Sequence, residues 1–500
     1  MSEENACCAA KPDAPKPQDE VSFVDHPEPK TATLTWSSGD ESFSYTATAG
    51  HVDIREDCGK PIGSLFCLAY VKVDAEGKAD PSRPVTFAFN GGPGSASVPI
   101  NVGGLGPRRV APNGDRRIGP APFQLEDNPY TLLKVSDVVF IDALGTGWSQ
   151  PARGVKPERV YGIDKDGECF ARFVEAWLEQ SGRWNSPLYL YGESYGTTRN
   201  AVLCRELEDR GVALNGVVML SSIFDWTPTV PGNESNYVQM FPTYASIASY
   251  YGKCEAAKGK TLDELFEDAS AFAEDKLAPA LVKGDRLDKD AEAKLADEMS
   301  EYLGLSKKFL RRKHLRVELT DFRQELLADE GRVCGRLDGR FSFDAGNFLQ
   351  TSREGQAEDD PAGSAMSAAW GMAWHQVVAN EIGYHNPKPY VQSAWESIGV
   401  TWDHRHRSAG VAWQAPAANV TYDLAYTMRH NPLMKVLVLG GRYDLATPFL
   451  GPIEDLSKMY LSEELKKNLT FKLYDAGHMI YVNTEAFEKM AADVEEFYRA

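Results

Sequence analysis

Six short apolar runs constrain the fold of this chain more than any other feature of its sequence. They lack the strict polar alternation of a strand with one wet face, and they are rich in β-branched and aromatic residues, as is typical of strands covered on both faces. The runs are PVTFAFN (84–90), DVVFIDA (137–143), PLYLYGE (187–193), GVVMLSSI (216–223), MKVLVLGG (434–441) and LTFKLYDA (469–476). Helical patterns separate several of them, and this alternation predicts an α/β fold with a mostly parallel central sheet.

The sequence divides around these runs into four parts. Residues 1–30 have the Pro-, Lys- and acid-rich composition of a disordered tail. The first part of the core, 31–226, opens with the alternating stretches TATLTW, SFSYTATAG and GSLFCLAYVKV, which predict antiparallel strands. From 227 to 430 charged amphipathic patterns replace the strand runs and predict a large, mainly helical cap insertion. Residues 431–500 complete the core.

Charge and cysteine usage exclude several functional classes. The 500 residues carry 53 Lys and Arg against 72 Asp and Glu, a formal charge of −19 that disfavours nucleic acid or a membrane surface as partner. The chain as given has no apolar stretch of about 20 residues and no secretion signal, so we expect a cytoplasmic protein.

The eight cysteines, including Cys7 and Cys8, lack C-x-x-C spacing, which predicts free thiols and no metal or cofactor. His404 and His406 are better explained as surface polar residues than as metal ligands.

A serine motif lies in the context that its chemistry requires. The pentapeptide GESYG (192–196) directly follows the run PLYLY, and a helical pattern begins at Thr197. In such a strand-turn-helix arrangement the sharp turn lifts the serine hydroxyl above the sheet edge, and the flanking glycines admit backbone that a Cβ would obstruct. We therefore interpret Ser194 as a nucleophile.

A serine hydroxyl needs an adjacent base and an acid that orients the base, and in this arrangement both follow the serine in the chain. Among the downstream histidines, His478 directly follows a strand run. Asp444 lies just beyond MKVLVLGG, at the carboxyl end of a predicted strand, where sheets of this kind place their active sites. Asp403 and Asp423 precede that strand, and Asp475 is too near His478 in sequence. We expect Asp444 to orient His478.

Acyl transfer also requires N–H donors for the tetrahedral oxyanion. The residue after the nucleophile, Tyr195, supplies the first donor. The glycine-rich segment NGGPG (90–94) follows the strand PVTFAFN and can supply the second. It lacks the Lys-Ser/Thr of a phosphate-binding P-loop.

Together these segments resemble the serine carboxypeptidases, in particular their unexported prokaryotic relatives. The resemblance covers most of 84–500. It is carried by FNGGPGSAS (89–97), DALGTGWSQP (142–151), YGESYGTTR (191–199), GGRYDLATPFLG (440–451) and DAGHMIYV (475–482). It implies an α/β-hydrolase fold with a helical cap and the release of single amino acids from peptide C-termini through an acyl-enzyme.

The resemblance also implies roles for individual residues. Ser194, Asp444 and His478 take the places of the catalytic triad, and Gly92 and Tyr195 those of the oxyanion N–H donors. The family's site for the free α-carboxylate of the substrate corresponds to Asn90, the Gly91 N–H and Glu193. Its pocket for the leaving residue corresponds to Met479.

Two positions depart from the family pattern, and the carboxylate site has a consequence for pH. Gly104 stands where many members carry a second glutamate of the carboxylate network, and Ser95 where a disulfide cysteine is usual. Because Glu193 and a substrate carboxylate can be in hydrogen-bond contact only when they share a proton, peptide cleavage is expected to favour acid pH. Esters or amides without that carboxylate would be cleaved at higher pH as well.

Other functions on the same scaffold remain open from sequence. The triad and oxyanion donors would serve an esterase or an acyltransferase equally well. An aminopeptidase would need an anionic site for the substrate's ammonium group, for which Glu234 in the predicted cap is a candidate.

Overall fold

The computed structural model describes residues 21–110, 118–345 and 360–499. Its strands are Lys30–Ser38 (β1), Glu41–Arg55 (β2), Pro61–Val73 (β3), Val85–Phe89 (β4), Arg108–Val110 (β5), Leu125–Asp127 (β6), Asp137–Ile141 (β7), Gln150–Pro151 (β8), Leu188–Glu193 (β9), Gly216–Leu220 (β10), Arg332–Cys334 (β11), Ser342–Asp344 (β12), Lys435–Gly441 (β13) and Leu469–Tyr474 (β14). Its α-helices are Ile163–Ser181 (α1), Tyr195–Asp209 (α2), Ser235–Tyr250 (α3), Leu262–Phe272 (α4), Ala278–Lys283 (α5), Lys289–Leu303 (α6), Lys307–Arg312 (α7), Leu319–Glu325 (α8), Pro361–His375 (α9), Thr421–His430 (α10), Leu450–Ser457 (α11), Glu463–Lys466 (α12) and Thr484–Arg499 (α13). Short 3₁₀ turns and three π-helical turns, Pro99–Leu105, Ala273–Leu277 and Gln376–Glu381, connect them.

One large mixed sheet organises the core, with the strand order β1-β2-β3-β7-β4-β9-β10-β13-β14 and β8 paired to β3. The first four strands of this order pair antiparallel, and all pairs from β7 to β14 are parallel. The six apolar runs form the parallel strands, where both faces are covered. This confirms the predicted α/β-hydrolase arrangement with antiparallel N-terminal strands.

The register of the parallel strands brings the ends of distant segments to one edge of the sheet. Phe89 at the end of β4 lies beside Gly192 in β9, and Glu193 lies beside Leu220 at the end of β10. Gly441 at the end of β13 pairs with Tyr474 at the end of β14. The segments that follow these strands therefore converge, although they are hundreds of residues apart in the chain.

Two apolar layers cover the faces of the sheet, and a third core lies in the cap. Helices α1 and α2 pack on one face, where one side of α1 is buried, and α9 and α13 pack on the other. A separate cluster is built mainly from α3 to α8, between Val238 and Leu327. The cap therefore has a hydrophobic cluster of its own, separate from the two clusters on the faces of the sheet.

The structure corrects the predicted boundaries of the cap and of the tail. Helices α9 and α10 fall within the predicted insertion 227–430, yet their apolar residues join the two sheet cores, and α10 packs on α2. Periodicity alone could not separate them from cap helices. Residues 1–20 of the predicted tail lie outside the described ranges. Ser22, in the remaining part, accepts a backbone hydrogen bond from Arg153 at 2.8 Å and is therefore tied to the folded core. No helix within the described ranges is long and apolar enough to span a bilayer.

Candidate active site

Ser194 occupies a sharp turn between β9 and α2. Its φ of 62° and ψ of −129° are unusual for a residue with a side chain, and such strain is concentrated at functional turns. The turn is possible because Gly192 and Gly91 lack side chains: a Cβ on Gly192 would lie 2.3 Å from the Gly196 oxygen, and one on Gly91 2.5 Å from the Tyr195 nitrogen. The Ser194 side chain remains partly exposed, as a nucleophile requires.

His478 and Asp444 form a buried hydrogen-bonded pair at the same edge. His478 Nδ1 lies 2.7 Å from Asp444 Oδ2, and the two residues are 5% and 0% exposed. Asp444 Oδ1 accepts the N–H groups of Ala446 and Thr447, and Oδ2 also accepts the Thr447 hydroxyl at 2.7 Å. The carboxylate is therefore fixed by its own turn, and it orients the imidazole ring through Nδ1, which leaves Nε2 without a hydrogen bond among the described residues.

Charges around His478 favour its protonated form. Burial lowers the pKa of His478, but the Asp444 carboxylate and, more weakly, Glu193 outweigh this effect and raise the pKa above its ordinary value. Arg336 opposes them from the cap. No hydrogen bond joins Ser194 to His478 among the described residues, and such contacts commonly tighten only when substrate is bound.

The other acids considered as orienting groups are engaged elsewhere. Asp475 binds Arg442 at 2.6 Å, Asp403 binds Arg405 at 2.7 Å, and Asp423 binds His406 at 2.7 Å. None of these three carboxylates is recorded in contact with His478, which leaves Asp444 as its partner in the described part of the chain.

A hairpin from the cap holds the two loops that carry this pair. Strands β11 and β12 form the hairpin, and its tip spans 335–341. The Leu445 N–H donates to the Arg336 carbonyl at 3.0 Å, and the His478 N–H donates to the Leu337 carbonyl at 2.6 Å. From the sheet side, the Ser221 hydroxyl donates to the His478 carbonyl at 2.6 Å. The backbone of His478 is thus held from both sides.

The predicted oxyanion donors lie next to the serine. The segment after β4 packs against the N-terminus of α2, as the close approach of Gly91 to the Tyr195 nitrogen shows. Within the described ranges no hydrogen bond engages the N–H of Gly92 or of Tyr195. Both groups are therefore available to a developing oxyanion at the end of a helix whose dipole favours negative charge.

Glu193 and Asn90 form a buried polar site beside the nucleophile. They are 3% and 5% exposed. Asn90 Oδ1 accepts the Ile100 N–H at 3.0 Å, which leaves its amide NH₂ as a donor toward Glu193. Burial raises the pKa of Glu193 to about 7, against the lowering effects of His478, Tyr481 and Asn90. This carboxyl can therefore be protonated near neutral pH. Met479 is also buried, next to His478.

An ion pair below the site was not predicted from the sequence. Arg199 is completely buried, and its Nε donates to Asp166 Oδ2 at 2.6 Å. The Tyr195 hydroxyl donates to the same carboxylate oxygen at 3.2 Å. Burial raises the pKa of Asp166, although Arg199 counters the effect. A buried arginine in the first turns of α2 was the available signal, since such a charge requires a partner.

His406 was predicted to be a surface residue, and this prediction is wrong. The side chain is completely buried, with Nδ1 2.5 Å from Asp164 Oδ1 and Nε2 2.7 Å from Asp423 Oδ2. Arg205 contacts Asp423 from the other side. Burial lowers the pKa of His406, but the two carboxylates outweigh burial and raise it to about 9. The imidazolium links the loop 403–407 to α1 and α10.

Comparison with known proteins agrees with this geometry. A sequence model of the family named serine carboxypeptidase matches residues 38–238. Over this segment the chain is similar in sequence to the serine carboxypeptidase family. Serine carboxypeptidase-like 44 of Arabidopsis thaliana is 33% identical over 168 residues, which cover 32% of this chain and 31% of the relative. Serine-type carboxypeptidase F of Aspergillus niger is 28% identical over 117 residues, which cover 23% and 20% of the two chains.

The matched segment spans about a third or less of the length of these curated relatives, 31% and 20% respectively. The fold extends further. The crystal structure of Kex1(delta)p, a prohormone-processing carboxypeptidase from Saccharomyces cerevisiae, covers 90% of this chain and 91% of its own at a TM-score of 0.52 and 14% identity. This likeness shows the α/β-hydrolase fold over nearly the whole chain.

The two positions that depart from the serine carboxypeptidase pattern both lie in described parts of the structure. Ser95 pairs through its backbone with Ser393. Gly104 lies in the π-helical turn Pro99–Leu105 and faces the ring of Tyr481.

A separate cavity of about 730 Å³ lies between the start of the cap and α11. Its described lining is mainly apolar, includes Glu234 and Glu454, and contains none of the residues predicted for the triad or for the carboxylate site. The Glu234 carboxylate is paired with Arg316 at 2.7 Å. Its charge is therefore already matched, which weakens it as a site for a substrate ammonium group.

Proposed function

We propose that this protein is a serine carboxypeptidase that releases C-terminal amino acids from peptides. The observation that carries the proposal is the buried Glu193–Asn90 site directly beside Ser194. A protonated carboxyl and an amide NH₂ can both donate to a free carboxylate, whereas an esterase has no use for such a site. The family relationship of residues 38–238 supports the same activity.

The proposed reaction follows from the positions of the polar groups. The substrate's α-carboxylate binds to Asn90, Glu193 and the Gly91 N–H. This contact places the last peptide bond over Ser194, and His478 accepts the serine proton as the hydroxyl attacks. The N–H groups of Gly92 and Tyr195 donate to the tetrahedral oxyanion. These hydrogen bonds form fully only in the transition state, and the two donors are already in place before substrate binds.

Three proton transfers complete the cycle. His478 gives its proton to the leaving amine, and the C-terminal amino acid departs past Met479. Water then attacks the acyl carbon and gives a proton to His478. His478 passes a proton to Ser194 Oγ as the acyl–oxygen bond breaks and the shortened peptide leaves, which restores Ser194. Asp444 stabilises the imidazolium in both half-reactions without taking the proton itself.

Mass spectrometry of three peptides tests the proposal. One peptide is N-blocked with a free C-terminus, one has a free N-terminus and an amidated C-terminus, and one has both ends free, each incubated from about pH 4.5 to 8. We expect stepwise C-terminal loss from the blocked peptide and none with Ser194→Ala. Cleavage only from a free N-terminus would make the enzyme an aminopeptidase. Hydrolysis of esters but of no peptide would instead identify an esterase or acyltransferase.

We further propose that the protein works in a reducing compartment, such as the cytoplasm. All the described cysteines are free thiols, namely Cys58, Cys67, Cys169, Cys204, Cys254 and Cys334. Subcellular fractionation, with alkylation of the native protein to count its thiols, tests this location. Recovery of the protein in an oxidising compartment would refute it.

A further inference from the structure

Tyr481 contacts the proposed carboxylate site directly. Its hydroxyl donates to Glu193 Oε2 at 2.9 Å, and the residue is 3% exposed. The ring lies three residues beyond His478 in the turn Ile480–Val482, so one loop supplies both the base and this donor. No role was predicted for Tyr481 from sequence.

The Tyr481 ring fills the space beside Gly104. A Cβ on Gly104 would lie 3.2 Å from the Tyr481 Cδ1 atom, closer than an ordinary contact. One residue earlier in the same turn, a Cβ on Gly103 would lie 2.8 Å from the Trp370 ring, which packs on Tyr481 with a centroid distance of 6.0 Å. A longer side chain at position 104 would therefore have to displace the phenol from Glu193.

A phenol and a second carboxyl would affect the pKa of Glu193 differently. Two adjacent carboxyls share one proton, which favours the protonated state of one of them. Burial raises the pKa of Tyr481 well above its ordinary value, so its hydroxyl remains a neutral donor throughout the working range. A donor to the ionised carboxylate stabilises that form, and Tyr481 accordingly lowers the pKa of Glu193.

The other groups that face Glu193 act on it independently of Tyr481. His478 lowers its pKa and Asp444 raises it, whereas the Asn90 amide is a neutral donor. The Tyr191 hydroxyl is buried nearby and has no hydrogen-bond partner among the described residues. Tyr191 therefore offers a matched control, since its hydroxyl can be removed without breaking a recorded contact.

We propose that Tyr481 is a positioning residue of the carboxylate site, which orients Glu193 and, by donating to its ionised form, sets the pH above which peptides with a free C-terminus are no longer cleaved. This inference rests on the proposed carboxypeptidase function. It assigns to the Gly104–Tyr481 pair the place that a second carboxyl holds in many relatives.

The test compares Tyr481→Phe with Tyr191→Phe. For each protein the kcat/KM of an N-blocked peptide is divided by that of an ester lacking a free carboxylate, which cancels the titration of His478. We expect Tyr481→Phe to move the alkaline fall of this ratio upward by roughly one pH unit, because Glu193 loses a hydrogen bond to its charged form. The Tyr191→Phe profile should match the wild type. Phenylalanine keeps the ring against Gly104, so folding should persist.

Two further measurements keep the outcomes distinct. The infrared carbonyl band of protonated Glu193, assigned by its loss in Glu193→Gln, should titrate at higher pH in Tyr481→Phe whether or not peptides are substrates. Gly104→Ala, which crowds the ring, should shift the band in the same direction. An unchanged band and profile in Tyr481→Phe would overturn the inference. Absence of peptide cleavage by the wild type, with the band shift present, would instead refute the proposed function.

Discussion

Arg199 Nη1 donates to the carbonyl oxygen of Asn90 at 2.8 Å, from a position with no solvent exposure. The same guanidinium binds Asp166 and lies over the rings of Phe89 and Phe170, with a distance of 4.3 Å to the latter centroid. The segment that carries the proposed carboxylate site and oxyanion donor is therefore held from below by a buried ion pair that substrate does not reach.

Replacing Arg199 should cost stability as well as activity. In Arg199→Met the Asp166 carboxylate loses its buried partner, and we expect the free energy of unfolding to fall by about 3–5 kcal/mol. Denaturant unfolding measures this change. The control is Arg210→Ala, which removes a more exposed pair with Glu175 and should cost no more than about 1 kcal/mol. Equal losses in the two variants would contradict the structural role of Arg199.

Glu193→Gln should remove the alkaline limit on peptide cleavage. In the proposed carboxylate site Glu193 binds the substrate only when it is protonated, and with a pKa of about 7 the protonated fraction falls about tenfold between pH 6 and pH 8. Glutamine donates at every pH, so the ratio of peptide to ester kcat/KM should become nearly constant over this range. A ratio that still falls tenfold in the variant would exclude Glu193 as the titrating group.

The Asp444–His478 pair predicts graded losses of activity. Asp444→Asn places an amide against Nδ1 and disfavours the tautomer that leaves Nε2 as base, so kcat should fall on the order of 10³- to 10⁴-fold. Thr447→Val removes only the hydroxyl that bridges Asp444 Oδ2 and His478 Nδ1, and we expect a loss of roughly tenfold. Steady-state kinetics on one ester substrate compares them. Nearly wild-type activity in Asp444→Asn would rule out this carboxylate as the orienting acid.

The buried His406 imidazolium should make stability depend on pH. Its pKa rises from 6.5 to about 9 on folding because of Asp164 and Asp423, so the protonated ring stabilises the fold fully below about pH 6.5. This contribution, about 3 kcal/mol, is lost as the pH rises through 9. His406→Gln should abolish that part of the pH dependence in unfolding curves. His430→Gln, which changes an exposed ring whose Nδ1 lies 2.9 Å from the Tyr426 carbonyl, should retain it.

The sequence was sufficient for the features that depend on local pattern. The apolar runs locate the parallel strands, and strand ends that meet at one edge place the segments that carry Ser194, Asp444 and His478 at that edge without knowledge of the packing. Polar contacts between residues far apart in the chain have no corresponding local pattern in the sequence. Arg199 and Asp166 are 33 residues apart, and Tyr481 and Glu193 are 288 apart, so only the folded chain pairs them.

The periodicity of apolar residues in the helices also could not predict which helices belong to the cap and which to the core. An amphipathic stripe shows that a helix buries one face, but not against which neighbour. The stripes of α6 in the cap and of α10 on the sheet are therefore equivalent in sequence, although Leu295 and Met299 pack within the cap and Leu424 and Met428 against the sheet.

The hairpin tip at 335–341 makes the cap part of the scaffold that holds Asp444 and His478, through the bonds from Leu445 to Arg336 and from His478 to Leu337. A cap transplanted from a relative to change substrate preference would have to bring an equivalent hairpin, or the acid and base loops would lose their common support. In this chain, evolution of new specificity through the cap is thus restricted to changes that leave the hairpin tip and its two backbone contacts in place.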